Sequence, residues 1–479
     1  MRIVEKEADF KQALESAQRE AKNAFGNDKV LLEKYITNPR HIEVQLVSDG
    51  VGNHFHFFER ECSIQRRYQK VVEESPACGV DEELRQRLCD TAVKIAKNIN
   101  YLGAGTIEYI LAKDNQFYFL EMNTRLQVEH PITEMVTGFD LVELQILAAR
   151  GEAFSFKQSD ISQYGHAIEA RIYAEDPDRE FLPTSGEIQK ISLKENVNYR
   201  LDCSIRDGGS ISLNYDPMLA KVIVHSEERS ESIQKMQDAL DDVVFGGVVT
   251  NRKYLKRIMA NDTFFEGSYN TNFINQESDR LGPWKIDDES KTLLFAGGFI
   301  APLIINNSEF IFHRPFEKEV KINGEELLFK VNFLDKSRME ISFMSFEYHF
   351  SIEVVSGQIY LINDNREFLV HDYPLDTNGE RQVIVGPLNA NLIYKNKANY
   401  CQGATSLGEG SLVSPMPGKI FKVMSKIGQT VKAGEPLLIM EAMKMEHIIK
   451  ASTDGVIKNI LFKEGEQVMG GVQLIEIES

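Results

Sequence analysis

Glu441-Ala442-Met443-Lys444-Met445 is the point about which the C-terminal part of the chain repeats itself. Before it stands Ser414-Pro415-Met416-Pro417-Gly418-Lys419-Ile420, matched after it by Ala451-Ser452-Thr453-Asp454-Gly455-Val456-Ile457, and the offset from Gly418 to Gly455 is 37 residues. The same offset pairs Gly428 with Gly465, Val431 with Val468, Gly434 with Gly471 and Leu437 with Leu474. Each copy is a set of short β-rich runs punctuated by glycine. One copy alone is too small to bury a core, so the two are expected to close on each other as a flattened barrel. Lys444 falls between the copies, in the connecting turn. A solvated lysine with two surface methionines is the plain reading of Met-Lys-Met. Its place at the hinge of a repeat favours another, an exposed amine that a cofactor-attaching enzyme can grip.

Working outward, the 479 residues are 42% hydrophobic, enough for about three domains of ~150 residues each. A net charge of −18 without a long basic run argues against nucleic acid as a partner. No apolar run approaches the ~20 residues of a membrane span, and the N-terminus lacks a signal-peptide core, so a soluble intracellular protein is expected. Cys62, Cys78, Cys89, Cys203 and Cys401 show no Cys-x-x-Cys spacing, which argues for a reducing compartment and against a zinc site.

Met1-Arg2-Ile3-Val4 and Val30 to Tyr35 read as strands, with a charged helix over 7–24 between them. From His41 to Val47, Ile42, Val44 and Leu46 alternate with His41, Glu43 and Gln45, as in a half-buried strand. Leu84, Leu88, Ala92, Ile95, Ala96 and Ile99 recur at helical spacing, so 82–100 is a packing helix. In Phe117–Glu129, Glu121, Asn123, Arg125, Gln127 and Glu129 occupy every second position. If the segment stays extended, one face carries two carboxylates, two amides and a guanidinium. A solvated edge strand is the competing reading. Against it, Glu108 lies on a preceding strand able to pair with Phe117–Glu121, and Mg²⁺ takes one or two carboxylates beside phosphate. Gln65-Arg66-Arg67-Tyr68-Gln69-Lys70 adds cationic donors for a phosphate or small anion. From about 285 to 400 strand-like runs dominate, Asn323-Gly324 marks a hairpin, and no titratable cluster stands out. Gln402 to Gly410 has the composition of a flexible tether.

These stretches resemble a known family. Ala442-Met443-Lys444-Met445 with Pro415-Met416-Pro417-Gly418 is similar to the biotin carboxyl carrier domain; lipoyl domains share the fold but usually carry Asp where Met443 stands. Glu33-Lys34-Tyr35, Asn38-Pro39-Arg40-His41, Gln65-Arg66-Arg67, Glu121-Met122-Asn123-Thr124-Arg125, Gln127-Val128-Glu129-His130-Pro131 and Gly165-His166-Ala167-Ile168-Glu169-Ala170-Arg171 resemble the biotin carboxylase of biotin-dependent acyl-CoA carboxylases, an ATP-grasp enzyme. The match runs from residue 1 to about 275, with Tyr68 where many members have histidine.

The resemblance implies an α+β multidomain chain. It would comprise a partial ATP-grasp portion over 1–160, a carboxylase C-terminal subdomain over 161–280, a β-rich subunit-interaction domain over 281–401, a linker over 402–410 and a biotinyl barrel over 411–479. It implies biotin on Lys444, ATP bound by Glu33, Lys34, Tyr35, Ile36, His41, Gln65, Glu108 and Glu121, and Mg²⁺ or Mn²⁺ on Glu108, Glu121 and Asn123. Lys70, Arg125, Gln127 and Val128 would bind bicarbonate, Glu129 would remove its proton, and Arg171 would stabilise the biotin enolate. Arg125, Glu129 and Arg171 would thus be catalytic. The implied partners are a biotin protein ligase, a carboxyltransferase β subunit and, through it, an acyl-CoA; the compartment would be the mitochondrial matrix in a eukaryote and otherwise the cytoplasm. Met445-Glu446-His447 and Phe181-Leu182-Pro183-Thr184-Ser185-Gly186 look most like the α subunits of methylcrotonoyl-CoA carboxylases, with those of propionyl-CoA carboxylases as the alternative. In the family, a glycine-rich loop and an α/β subdomain precede the residues matching Met1-Arg2-Ile3-Val4. Without those backbone donors the chain alone is expected to bind ATP poorly, which leaves a biotin-bearing carrier and docking module as the second hypothesis.

Overall fold

The computed structural model describes residues 3–4, 6–192, 198–212, 215–282, 286–305, 314–355, 357–364, 366–375, 380–386, 388–394, 412–414, 418–442, 445–468 and 472–478. They fall into two compact units, Met1–Tyr164 with Gly267–Gln276, and Gly165–Glu266 with Glu277–Ser479.

The first unit is built on an antiparallel sheet in the order β3 (Gln69–Ser75), β2 (His54–Arg66), β1 (Arg40–Ser48), β4 (Gly103–Leu111), β5 (Phe117–Asn123). Helix α2 (Glu82–Asn98) starts where the Asp81 carboxylate accepts the Leu84 N–H at 2.8 Å. Its stripe of Leu84, Leu88, Ala92 and Ala96 packs on Ile42, Val44 and Leu46 of β1 and Ile107 and Tyr109 of β4. Each leucine, isoleucine or valine among them contributes about 1.5–3 kcal/mol by leaving water. Alternation in β1 is as expected, but the strand is not half-buried: His41 is 7% exposed and Glu43 and Gln45 are 0% exposed. A polar strand face tolerates this only when every charge on it is paired.

Two other expectations are corrected. Helix α1 (Phe10–Phe25) is present and ends at Gly26 with φ 69°, but 27–36 form no strand and Ile3-Val4 none, while Met1 and Arg2 lie outside the described residues. A strand exists through hydrogen bonds to a neighbour, and Leu31 and Leu32, 91% and 82% exposed, lack cover. The extended reading of Phe117–Glu129 fails after Asn123: a turn follows, and Glu129 caps α3 (His130–Thr137). Helix α4 (Leu141–Ala149) completes the unit with the returning segment 267–276, where Tyr269 donates its hydroxyl to Glu74 and Thr271 N–H bonds the Pro39 carbonyl at 2.9 Å.

In the second unit, strand Met218–Ser226 pairs antiparallel with His166–Tyr173 on one side and Arg200–Cys203 on the other, and helix Arg229–Asp242 packs on them. A closed eight-stranded antiparallel barrel runs from Phe316–Ile322 to Leu388–Tyr394. Its hairpin at Asn323-Gly324 has both residues at positive φ, 47° and 94°. The sequence reading of 285–400 as strands missed the helix Asp288–Ile305, which fills this barrel. It is apolar on all sides because all sides are covered, so no periodic stripe announced it. Phe295 stacks on Phe329 with ring centroids 4.2 Å apart. At Gly297 and Gly298 an added Cβ would come within 2.5 Å of Val385 and 2.7 Å of Val383. The barrel meets the preceding subdomain at Gln382, whose carboxamide accepts from Gly247 N at 3.1 Å and donates to Val248 O at 3.1 Å.

The C-terminal repeat folds as two four-stranded sheets facing each other. Their shared core contains Ile420 with its repeat partner Ile457, Val431 with Val468, Leu437 with Leu474, Leu438 with Ile475, and Met440 with Ile477. Among the described residues no helix is long and apolar enough to cross a membrane.

Candidate active site

The buried polar face of the first unit converges on Lys70. Its ammonium donates to Glu43, to Glu108 at 3.0 Å and to Glu129 at 2.6 Å. Three elements supply these carboxylates: β1, β4 and the turn that caps α3. Behind them, the wholly buried Arg60 donates to Glu43 at 2.6 Å, to Gln45 and Gln127 at 2.8 Å and to Thr133 at 3.0 Å. Gln127 then donates from its Nε2 to Glu108 at 2.8 Å, so its carboxamide orientation is set from both ends. Three carboxylates against Lys70 and Arg60 leave one negative charge in excess, an arrangement that favours a further cation.

Burial would raise the Glu43 carboxyl, but Lys70 and Arg60 outweigh it and hold it at about 2. Burial also works against Glu108, where the hydrogen bond from His41 and the charge of Lys70 hold the carboxyl at about 2. Burial opposes the charge on Lys70, yet Cys62, Glu43, Glu129 and Glu108 keep its ammonium well above the ordinary lysine range. Gln65 donates to His41 Nδ1 at 2.6 Å, which leaves the proton on Nε2 to be given to Glu108 at 2.9 Å.

The residues singled out from sequence are not all gathered here. Glu108 and Glu121 are direct cross-strand partners, and Asn123 Nδ2 donates to Glu108 at 2.9 Å. His41, Glu43 and Glu108 offer ligand atoms within 4.8 Å of one another, whereas Glu121 is exposed and outside that trio. Two carboxylates on adjacent strands, with the excess charge behind one of them, suit a hard divalent cation. Gln127 and Glu129 turn inward, 5% and 2% exposed, while Arg125 stays at the surface with its guanidinium on the Leu126 carbonyl at 3.2 Å. Val128 is half-buried and Ile36 likewise; Glu33, Lys34 and Tyr35 are exposed, with Lys34 Nζ 5.7 Å from the Tyr118 ring centroid. Arg171 lies buried on strand His166–Tyr173 of the second unit. Strands Pro436–Ala442 and Met445–Lys450 pair up to Ala442 and Met445, and Met443 and Lys444 between them lie outside the described residues.

Glu43 and Arg60 were missed from sequence. Glu43 stands between His41 and Gln45 on one strand face, and that shared face was the available signal. Arg60 gave none, because a charge in Glu59-Arg60-Glu61 reads as solvated until β2 is known to be covered on both faces.

The chain matches three family models: "Carbamoyl-phosphate synthase L chain, ATP binding domain" over 1–157, "Biotin carboxylase C-terminal domain" over 169–276, and "Biotin-requiring enzyme" over 410–477. The methylcrotonoyl-CoA carboxylase subunit alpha of Dictyostelium discoideum is 38% identical, over 98% of this chain and 71% of its own length. That of Rattus norvegicus is 36% identical over 100% of this chain and 70% of its own. The propionyl-CoA carboxylase alpha chain of Mus musculus is 33% identical over 100% and 69%. Among solved structures, biotin carboxylase from Campylobacter jejuni is 46% identical with a TM-score of 0.55, over 58% of this chain and 61% of that one. The bicarbonate-bound biotin carboxylase domain of a thermophilic 2-oxoglutarate carboxylase is 40% identical with a TM-score of 0.56, over 59% and 64%. The chain therefore spans less than two thirds of these solved carboxylases.

The fold and the matching family models define an ATP-grasp, biotin-carboxylase-like protein of the ligase class, continued by a β-barrel and a biotinyl domain. The chain belongs to the family of biotin-containing α subunits of biotin-dependent acyl-CoA carboxylases, with biotin, ATP and Mg²⁺ as the implied cofactors.

Proposed function

We propose that this chain carboxylates biotin carried on Lys444 at the expense of ATP and bicarbonate, for transfer by a β carboxyltransferase subunit to a methylcrotonoyl-CoA-like thioester. The observation that carries this is the Lys70-centred cluster in the same chain as a biotinyl repeat. Bound biotin would supply a ureido nitrogen as CO₂ carrier, and Mg²⁺ held by Glu108, Glu121 and Asn123 would neutralise phosphate charge. Lys70 and the fixed Gln127 carboxamide give the bicarbonate anion a cation and an N–H donor, with Val128 and the surface guanidinium of Arg125 beside them in sequence. Glu129, already hydrogen-bonded to Lys70 at 2.6 Å, takes the bicarbonate proton as general base. His41 donates to Glu108 and keeps that carboxylate oriented, and Gln65 fixes the His41 tautomer. Glu33 to Ile36 would line the adenine, and Arg171 would offset developing negative charge on the carrier.

The relatives at 38% and 36% identity are methylcrotonoyl-CoA carboxylase α subunits and that at 33% is a propionyl-CoA carboxylase chain, which supports the first acyl group over the second. Their mitochondrial names support a matrix location if the source is eukaryotic. A carrier and docking role alone is the second reading, favoured by the exposure of Glu33, Lys34 and Tyr35. Biotin- and bicarbonate-dependent ATP cleavage by the biotinylated chain separates the two: turnover supports the enzyme, and its absence leaves the carrier. Lys444→Arg should abolish avidin binding, and retained binding would overturn the attachment site. Reconstitution with each β subunit, assayed on both thioesters, decides the acyl group.

A further inference from the structure

Strand β2 changes phase in its middle. Against β1 the pairing passes from Val44↔Glu59 to Leu46↔His56, so three steps in β2 match two in β1, and the extra residue falls at Phe58, whose φ is 62°. That left-handed backbone is costly for a phenylalanine, and a bulge is where a strand accepts it. On one side of the bulge, Phe55 and Phe57 lie with Val47 in an apolar cluster. On the other, Arg60 stands opposite Glu43 on that same face, while Glu59 turns to the opposite face and accepts from Arg85 of α2 at 3.0 Å. Uninterrupted alternation from Phe57 would put Glu59 against Glu43 and send Arg60 towards α2. The bulge therefore decides the sign of the charge beneath the Lys70 cluster.

What Arg60 then does follows from hydrogen-bonding polarity. A guanidinium only donates, so a carboxamide beside it must present its oxygen. Arg60 donates to the Gln127 oxygen at 2.8 Å, and also to the Gln45 oxygen at 2.8 Å and the Thr133 hydroxyl at 3.0 Å. The Gln127 nitrogen is thereby turned the other way, to Glu108 at 2.8 Å and Glu43 at 3.4 Å, the carboxylates that also accept from the Lys70 ammonium. A glutamine without that donor behind it can present either end. Its oxygen, facing that site, would oppose the carboxylates and any anion drawn to Lys70.

We propose that Arg60, placed by the bulge at Phe58, is a positioning residue for bicarbonate: its guanidinium locks the Gln127 carboxamide with the nitrogen turned to the anion site beside Lys70. This deepens the bicarbonate reading above and depends on it. Arg60 is wholly buried behind Gln127 and acts through it, without touching the anion. Its bonds to β1, to the turn at 124–129 and to α3 also tie together the segments that carry Gln127 and Glu129.

The opposite face of the same strand supplies the control. Arg60→Lys keeps a cation but lacks the planar fork, so it cannot hold Glu43, Gln45 and Gln127 together, and Arg60→Met removes the lock outright. Arg85→Met strips the other buried glutamate of β2, Glu59, of its ion pair and leaves Gln127 alone. The biotinylated full chain is assayed for ATP cleavage against bicarbonate concentration. Binding is read separately, with MgADP present, from the broadening of the resonance of isotopically labelled bicarbonate. Arg60→Lys should raise the KM for bicarbonate about tenfold, leave the KM for ATP unchanged and weaken the broadening in step. Arg60→Met should raise it further where it folds, and Arg60→Lys carries the test where it does not. Arg85→Met should melt at a lower temperature with the KM for bicarbonate of the wild type. An Arg60→Lys chain that binds bicarbonate with wild-type affinity would overturn the lock and leave Arg60 a packing residue. An equal rise in KM with Arg85→Met would overturn it too, since the effect would then belong to the stability of β2. A wild-type chain with neither bicarbonate-dependent cleavage nor broadening would overturn the bicarbonate reading itself.

Discussion

The polar face of the sheet in the first unit and the interior of the eight-stranded barrel are both buried and are made of opposite materials. Around Lys70 the buried groups are Glu43, Arg60, Glu108, Gln127 and Glu129; around Phe295 they are Phe329, Ile341, Val383 and Leu392. An apolar interior follows directly from the loss of water contact and needs no function to explain it. Burying two cations among three carboxylates brings at best a small net gain, since desolvation offsets the attraction. The charged interior is therefore the one whose existence asks for chemistry.

The sharpest way to break this contrast is at Arg60. Arg60→Met should destabilise the first unit by about 5 kcal/mol, because Glu43 and Gln127 lose their partner in a buried site; hydrogen exchange of β1 and β2 amides would register it, with barrel amides unaffected. Arg60→Lys should recover part of the protection but not the bidentate hold on Glu43 and Gln127. Next comes Phe295→Ala, expected to cost the barrel about 3–4 kcal/mol through the cavity left against Phe329, while protection around Lys70 is kept. A loss that spread to β1 would join the two interiors into one cooperative body.

Acid sharpens the comparison further. Glu43 and Glu108 titrate at about 2 in the folded chain against an ordinary 4.5, so both are depressed groups. Their contribution is complete above pH 4.5 and is lost as the pH falls towards 2. Exchange protection in the first unit should fall in that window before protection in the barrel does. The smallest effect belongs to the exposed Lys458–Glu476 pair: removing both charges should leave thermal unfolding unchanged, and a measurable drop would mean the second sheet needs its ion pair.

How far the sequence could be read tracks where the covering layer came from. The repeat about Met443-Lys444 was legible because identical spacing of glycine and apolar residues survives without knowing any neighbour. Helix α2 and the Glu108 to Glu121 pairing were legible for the same reason, each being a local period. The half-buried reading of β1 was not correct, since Arg60 and Lys70 from neighbouring strands and Gln127 from the turn at 124–129 meet its polar face from farther along the chain. The helix Asp288–Ile305 was invisible for a related reason: a segment enclosed on every side has no periodic boundary between wet and dry.

By itself, then, the order of residues determined which segments repeat, which strands alternate and which lysine stands between the copies, because those patterns are set by backbone geometry within a few residues. Only the tertiary structure decided that Glu43 and Arg60 are buried and joined to Lys70, that Arg125 remains at the surface, and that the bulge at Phe58 turns Arg60 rather than Glu59 towards Glu43. Those facts depend on what long-range pairing brings beside each side chain, and charge or apolarity has no fixed meaning until that neighbour is in place.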